Sequence, residues 1–494
     1  MTGLDHPQIQ WRCSEAAWRA IEAHHRHGAN KERASVALGH TLSHGNRQVI
    51  LVDEAGVALL DASDYAHQRS GAVRVKPDTT RRLMWWLAQS QFDAFSSIHD
   101  HWFSASGTTF SGGDDRDDLA QDQYFRNSLE PQLQSGKFGA ERSITHLAMV
   151  LDAATMDARQ VDSRRIRAFH SVSEVQIVGA GLSRISPNSA SNPVQPNDPA
   201  VARHRDFVPP AAQALIADLR VGIVGCGGLG PIVAENLLRL GVREFVLVDQ
   251  DSLEDTNLNR WLGARREDVG KPKVELLTEY LRRCEPSVRV ERICADVIES
   301  NPVAELGTCD LLIGAVDNDA ARFWLNRLAC AALIPLFDLG VRVRIRPRVD
   351  FLSRITPIVP GKTACLECSP AGLLDPIEIA KRFDGLTAVA KQSAGYVADA
   401  DIIAPSVMGL NTQIAGAVTL EILSYICGWS SVPRMKTSTW SVDKTVVVNT
   451  DSHQPDPHCL ACGQSFRAKG LFGNIPTAAT TSVAMGRLKD VFPA

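Results

Sequence analysis

Residues Arg220 to Gly230 read RVGIVGCGGLG, a β-branched run broken by glycines. Val221 to Val224 has the composition of a strand. Gly225, Gly227, Gly228 and Gly230 follow, and apolar residues then recur with helical spacing at Ile232, Val233, Leu237 and Leu240. The order is strand, tight turn, helix. Such a turn lets backbone N–H groups close on phosphate oxygens at the positive end of a helix. A second strand, Glu244 to Val248, ends in Asp249, placed to accept a ribose hydroxyl. This half of the chain is therefore expected to form a Rossmann-like, doubly wound α/β sheet. The turn alone does not separate a nicotinamide or flavin site from an ATP site.

The residues that follow do separate them. Asp249 and Asp251 precede NLNRW, Asn257 to Trp261; then comes GKPK, Gly270 to Lys273. A further strand, Asp310 to Val316, ends in Asp317 within AVDNDAAR. Hydride transfer has no use for an arginine and a lysine over the phosphates and a spare carboxylate where the strand order reverses. Attack on the α-phosphate of ATP needs all three: cations to neutralise the phosphoryl oxygens and a carboxylate to hold Mg²⁺. These residues resemble the ThiF/MoeB/HesA family, relatives of the ubiquitin-activating enzymes, over residues 200 to 464. The resemblance implies ATP and Mg²⁺ as cofactors. It assigns the nucleotide to Gly225, Gly227, Gly228, Gly230, Asp249, Asp251, Asn257, Arg260, Lys273 and Asp317. Within that set Asp249 takes the ribose, Asn257, Arg260 and Lys273 the phosphates, and Asp317 the Mg²⁺. Family members also use an arginine just before the first strand, often from a dimer mate. Arg203 and Arg205 both fit, and a homodimer is expected.

The chain has 11 cysteines, an odd number, and its polar first residues, with Asp5, lack the apolar core of a secretory leader. A reducing, cytoplasmic setting is expected rather than a disulfide framework. Cys365-Leu-Glu-Cys368 and Cys459-Leu-Ala-Cys462 are C-x-x-C pairs. Two such knuckles close a tetrahedral zinc site with no open position, which makes it structural. Many relatives carry a nucleophilic cysteine in the loop after the first pair. Here that loop, Ser369 to Ala404, has none, and the usual slot falls near Val397. Cys427 ends an apolar helical stretch, AGAVTLEILSYIC, and reads as core. A thioester on this chain is not expected.

The first half carries a different pattern. An apolar strand from Phe95 ends in His99-Asp-His101, and alternate strand residues share a face, so both imidazoles can reach one metal. Ser111-Gly-Gly-Asp114 follows, and upstream Glu32 opens ERASVALG, a helix-to-strand transition ending at Gly39. Two histidines and one aspartate leave zinc a fourth position for water. A nearby glutamate can take that water's proton and a serine hydroxyl can steady an oxyanion. These residues resemble the JAB/JAMM (MPN) metalloprotease family over residues 10 to 180. The resemblance implies Glu32 as general base, His99, His101 and Asp114 as ligands of a catalytic Zn²⁺, and Ser111 as oxyanion donor. The pattern departs from the family at Trp102, where proline commonly stands, and in a longer spacer before Ser111.

The expected organisation is a JAMM-type α/β domain over 10–183, a linker over 184–200, a ThiF-type domain over 201–464 and a tail over 465–494. The linker rests on SPNSASNPVQPNDP, which lacks apolar periodicity. No apolar run reaches the roughly 18 residues that span a bilayer. The net charge of −4 gives no electrostatic reason to seek nucleic acid. Arg342, Arg344, Arg346 and Arg348 alternate, so a strand would array them on one face, either solvated or as a dock for an acidic partner.

One partner joins the two halves. The JAMM family cleaves after the C-terminal glycine of a ubiquitin-like protein, and the ThiF family adenylates that glycine's carboxylate. The expected activity is ATP-dependent activation of a ubiquitin-like protein, coupled to its maturation or deconjugation. Alternatives are activation of a ubiquitin-like sulfur carrier, a non-catalytic scaffold, and, remotely, a nicotinamide dehydrogenase. A conjugating-enzyme homologue would accompany the first reading and a sulfurtransferase the sulfur-carrier one.

Overall fold

The computed structural model describes residues 7–26, 31–69, 72–101, 109–134, 142–152, 155–165, 167–187, 199–298, 300–345, 349–369, 373–376, 378–379, 407–430, 433–441, 444–464 and 467–468. Trp102, the slot near Val397, Arg346, Arg348, most of the expected linker and the tail lie outside them. Two compact units are present, the first built on Met1–Gly179 and the second on Pro193–Arg467.

The first unit contains β1 (Gln8–Ser14), α1 (Glu15–Arg26), β2 (Ala34–His44), β3 (Arg47–Val52), β4 (Val57–Leu59), a hairpin of β5 (Tyr65–Arg69) and β6 (Ala72–Val75), α2 (Pro77–Gln89) and β7 (Ala94–Asp100). It continues with α3 (Gly112–Tyr124), a π turn, α4 (Glu130–Gln134), β8 (Thr145–Leu151), β9 (Met156–Val161), β10 (Phe169–Ser171), β11 (Glu174–Val178) and β12 (Leu182–Ile185). The main sheet runs β10-β9-β8-β7-β2-β3-β1-β11-β12, with β4 added beside β2. Alternate residues face opposite sides, so the sheet has two cores. Ala37, Ile98, Trp11 and Met149 pack on one face; Val36, Leu38, Phe95 and Phe125 pack on the other. Strand β2 runs past Gly39, where the sequence places its end. A Cβ at Gly39 would collide with the Leu51 carbonyl of β3, so glycine permits close pairing there and does not break the strand.

The second unit contains α5 (Pro210–Asp218), β13 (Arg220–Val224), α6 (Gly230–Leu240), β14 (Glu244–Val248), α7 (Lys273–Cys284), β15 (Arg289–Ile293), α8 (Ser300–Leu306), β16 (Leu311–Gly314) and α9 (Asp319–Ala331). Then come β17 (Leu336–Arg344), β18 (Asp350–Ile358), α10 (Met408–Cys427), β19 (Met435–Ser441) and β20 (Lys444–Asp451). The sheet order is β15-β14-β13-β16-β17-β18-β19-β20. The first five strands pair in parallel and the rest antiparallel. Every residue of β13 and β14 is buried, as expected for parallel strands covered on both faces. The order reverses between β13 and β16, and ligands of such sheets bind beyond the strand ends at that point. Strand β16 ends at Gly314 rather than Val316, which frees Ala315–Asn318 to turn across the reversal. Helix α9 is buried from Ala320 to Ala331, charged residues included. Among the described residues no helix is long and apolar enough to cross a membrane.

Candidate functional site

A cleft of about 390 Å³ lies over the carboxyl ends of β13, β14 and β16. Gly225, Gly227, Gly228, Asp249, Asp251, Asn257, Arg260, Lys273 and Asp317 all line it. The glycine turn is fixed by close approach. Gly225 has φ +94°, and a Cβ there would strike the Ala315 carbonyl. Gly230 does not line the cleft. A Cβ at that position would collide with the Gly225 carbonyl, so this glycine packs the helix start against the turn.

The Asp249 carboxylate accepts from Cys226 N–H at 2.7 Å and from Asp251 N–H at 2.8 Å, which ties the glycine turn to the end of β14. Burial raises its pKa, against the pull of the Asp251 N–H and of Lys273. Lys273 is buried at the start of α7, and its Nζ lies 2.7 Å from Asp251 Oδ2. Arg260 is half-buried and donates to the Thr256 carbonyl at 2.7 Å. Asp317 is exposed at the loop after β16, a carboxylate open to a cation from the cleft side. Arg203 and Arg205 lie on or beside a 3-10 helix, Pro199–His204; both are exposed and neither lines the cleft.

Among the cleft residues that escaped the sequence reading are Arg322, Asp296 and Asn411. Arg322 of α9 donates to both Asp338 oxygens at 2.7 Å and to the Val316 carbonyl at 2.7 Å. Arg354 adds a second guanidinium to Asp338 at 2.8 Å. This buried network anchors the loop that carries Asp317. Asp296, after β15, and Asn411, in the first turn of α10, also line the cleft. The signal for Arg322 was a charged residue one turn into a mostly apolar helical stretch.

Elsewhere in the second unit the four sulfurs of Cys365, Cys368, Cys459 and Cys462 lie within 4.8 Å of one another. Cys365 Sγ is 3.7 Å from Cys459 Sγ, and Cys368 Sγ is 3.5 Å from Cys462 Sγ. A tetrahedron with Zn–S bonds of about 2.3 Å has edges near 3.8 Å, so the donor set fits zinc. Glu367, inside the first knuckle, accepts from Arg327 at 2.7 and 2.9 Å and from Asn326 at 3.1 Å, which docks the knuckle on α9. Cys226 and Cys427 are both held toward the thiol by burial, Cys226 also by the charge of Asp249. Cys427 is only half-buried, at the last residue of α10, rather than core. On β17, Arg342 and Arg344 are exposed, and Arg344 pairs with Asp350.

In the first unit His99, His101 and Asp114 converge, with one ligand atom of each inside 4.8 Å. His99 Nε2 is 3.3 Å from Asp114 Oδ1, and His101 Nε2 is 3.9 Å from Asp114 Oδ2. The antiparallel register pairs Ala34 with His99, so the chain before β2 brings Glu32 across from His101 at 4.0 Å. Burial pushes Glu32 up to about 7. Burial alone would lower His99, but the Asp114 hydrogen bond and charge raise it. Ser111 is the N-cap of α3: its Oγ accepts from Gly113 and Asp114 N–H, and Asp114 accepts from Ser111 N–H at 2.6 Å. This capping box fixes Asp114 toward the histidines. The sequence reading missed the support behind the set. Asp100, between the histidines, accepts from Arg33 N–H and lies 2.7 Å from buried His25, whose other nitrogen is 2.9 Å from Ser35 Oγ. Arg159 is stacked between the Phe110 and Phe169 rings and paired with Asp115 and Asp118.

The second unit is thus a Rossmann-type α/β unit with a polar cleft at the reversal point and a docked four-cysteine knuckle. Its sequence, residues 201–461, matches the ThiF family, just over half of the chain. The chain belongs to that family. It is 37% identical over 163 residues to the SAMP-activating enzyme E1 of Haloferax volcanii, covering 33% of this chain and 57% of that protein. It is 28% identical over 256 residues to ubiquitin-like modifier-activating enzyme 5 of Dictyostelium discoideum, covering 49% and 61%. The matches therefore take in less than two thirds of either relative. The crystal structure of E. coli MccB with ATP aligns at 22% identity and a TM-score of 0.41 over 51% of this chain and 69% of that one.

Proposed function

We propose that this protein uses ATP to adenylate the C-terminal glycine carboxylate of a ubiquitin-like protein, and that its first unit is a JAMM-type zinc peptidase acting on the same partner. The observation that supports the first part most is the convergence of Asp249, Asn257, Arg260, Lys273 and Asp317 on one cleft at the sheet's reversal point. In this reading a carboxylate oxygen attacks the α-phosphorus, the bond to the bridging oxygen of the β-phosphate breaks, and pyrophosphate leaves. Arg260 and Lys273 neutralise the phosphoryl oxygens; Asp251 keeps the Lys273 ammonium in place. Asp249 holds the ribose. Asp317 would hold Mg²⁺, which supplies charge neutralisation on the departing pyrophosphate. Arg203 and Arg205, both exposed and away from their own chain's cleft, each suit donation to a second copy, as in a homodimer. The partner class is supported by the names of the activating-enzyme relatives.

The peptidase part rests on the His99, His101 and Asp114 convergence with Glu32 beside it. A zinc ion held by those three would supply a polarised water. Glu32, raised by burial, can take and return a proton near neutral pH. Ser111 keeps Asp114 aimed at the set and has its O–H free to donate while its oxygen accepts the cap bonds. The cysteine quartet would hold a second, structural zinc.

Partner-dependent ATP–pyrophosphate exchange tests the adenylation. Asp317→Ala should abolish it while leaving the protein folded; exchange at the wild-type rate would sink the assignment. Replacing His99 and His101 with alanine should abolish cleavage of a ubiquitin-like fusion and spare exchange. Full cleavage by that variant would overturn the peptidase part.

A further inference from the structure

Asn411 is 1% exposed, yet it lines the nucleotide cleft. Its Oδ1 has no hydrogen-bond partner among the described residues. A Cβ on Gly228 would collide with Asn411 Nδ2 and press on Arg260, so the carboxamide lies against the glycine turn beside that arginine. A buried carbonyl oxygen left unpaired is costly, and in a residue that lines a cleft a donor on the ligand can account for it. ATP offers no obvious donor at this end. Its phosphates only accept, and they are served by the glycine-turn N–H groups, Arg260 and Lys273, with Asp249 at the ribose end.

A peptide group does fit. A carboxamide presents a donor and an acceptor side by side, which matches the N–H and C=O of a peptide bond. The cleft also offers such a chain a path. Strand β17 pairs with β16 only from Leu336 to Asp338, then runs on from Leu339 to Arg344 with no strand on that side among the described residues. Leu339 and Val341 of that stretch line the cleft. An extended chain there can bring its terminal carboxylate to the α-phosphate, and its last peptide bond then lies one residue back, about 3.8 Å along the chain. We infer that the Asn411 carboxamide holds the last peptide bond of the acyl substrate, so that the cleft selects a peptidyl C-terminus over a free amino acid. This rests on the adenylation reading and adds a specificity residue to it.

The test uses the full-length protein and three probes: ATP, the non-hydrolysable adenylate mimic N-acetylglycyl-sulfamoyl-adenosine, and its ester counterpart, in which oxygen replaces the acetylglycine N–H. Calorimetry should show wild type binding the amide mimic about tenfold more tightly than the ester, the value of one desolvated hydrogen bond. Asn411→Ala should erase that difference, bringing the amide-to-ester ratio to about one. If wild type binds neither ATP nor the mimics, the adenylation reading itself fails. If ATP binds but wild type does not distinguish amide from ester, the inference is overturned even where the variant does not fold. It is overturned equally if Asn411→Ala weakens ATP and both mimics alike.

Discussion

Arg322 is the side chain on which the cleft's far wall depends. Arg322→Met removes three donated hydrogen bonds of 2.7 Å, two to Asp338 and one to the Val316 carbonyl. Asp338, 1% exposed, is left with Arg354 alone at 2.8 Å. Removing one partner from a buried, hydrogen-bonded ion pair costs about 3–5 kcal/mol, mostly the penalty of the charge left behind. The loss should be local to the loop between β16 and α9. Hydrogen exchange read by mass spectrometry on peptides from that loop should accelerate by about 10²- to 10⁴-fold. Arg322→Lys should fall between, because an ammonium cannot serve the carboxylate and the carbonyl with one planar fork. Adding Asp338→Leu to Arg322→Met should recover part of the loss, since the charge then left unpaired is Arg354, which is partly exposed, rather than the buried carboxylate. Protection unchanged in Arg322→Met, or a double variant worse than the sum of its parts, would refute the account.

Three further outcomes are expected. Asp93 accepts from Thr41 N–H at 2.7 Å, and burial pushes it up to about 6. The folded state therefore keeps a proton that the unfolded chain has released, and stability falls as pH rises between about 4 and 6. Asp93→Asn should raise the melting temperature at pH 7.5, by the equivalent of about 1–3 kcal/mol, and leave it unchanged at pH 4; a gain at both pH values would contradict the cause assigned. Metal analysis should return about two zinc per chain, falling to one when Cys459 and Cys462 are both serine, with an unchanged value counting against the quartet. Incubation with ATP and a ubiquitin-like partner should give no reductant-sensitive adduct, as burial disfavours the thiolate at Cys226 and Cys427. An adduct mapped to either residue would overturn that expectation.

What was legible in the sequence was whatever local rules determine. Glu244–Val248 was bounded to the residue, because a fully buried parallel strand is a continuous apolar run ended by a polar cleft residue. The cysteine quartet was read from its two C-x-x-C spacings, and Asp114 was joined to His99 and His101 by the JAMM resemblance; both groups converge in the structure. Strand ends were less legible. Nothing local showed that β16 would stop at Gly314 or that β2 would pass through Gly39, since both depend on a neighbouring strand's carbonyl or a helix's arginine. Least legible were residues whose role comes from convergence across the chain. Asn411 meets Gly228 across most of the second unit, and His25 meets Asp100 across 75 residues of the first. Each is an ordinary polar residue in its own stretch.

The two cysteine knuckles stand 94 residues apart in sequence. An ion held by all four sulfurs would turn the intervening chain, with β19, β20 and all of α10, into a closed ring. By the loop-entropy relation for a covalent cross-link of that span, such a closure removes about 4–5 kcal/mol of freedom from the unfolded chain. The ring brings α10, and with it the Asn411 turn, under the same tether. Occupancy of a site that takes no part in the chemistry would then set how often that wall of the cleft is in place, making metal supply a determinant of how much of the protein can work.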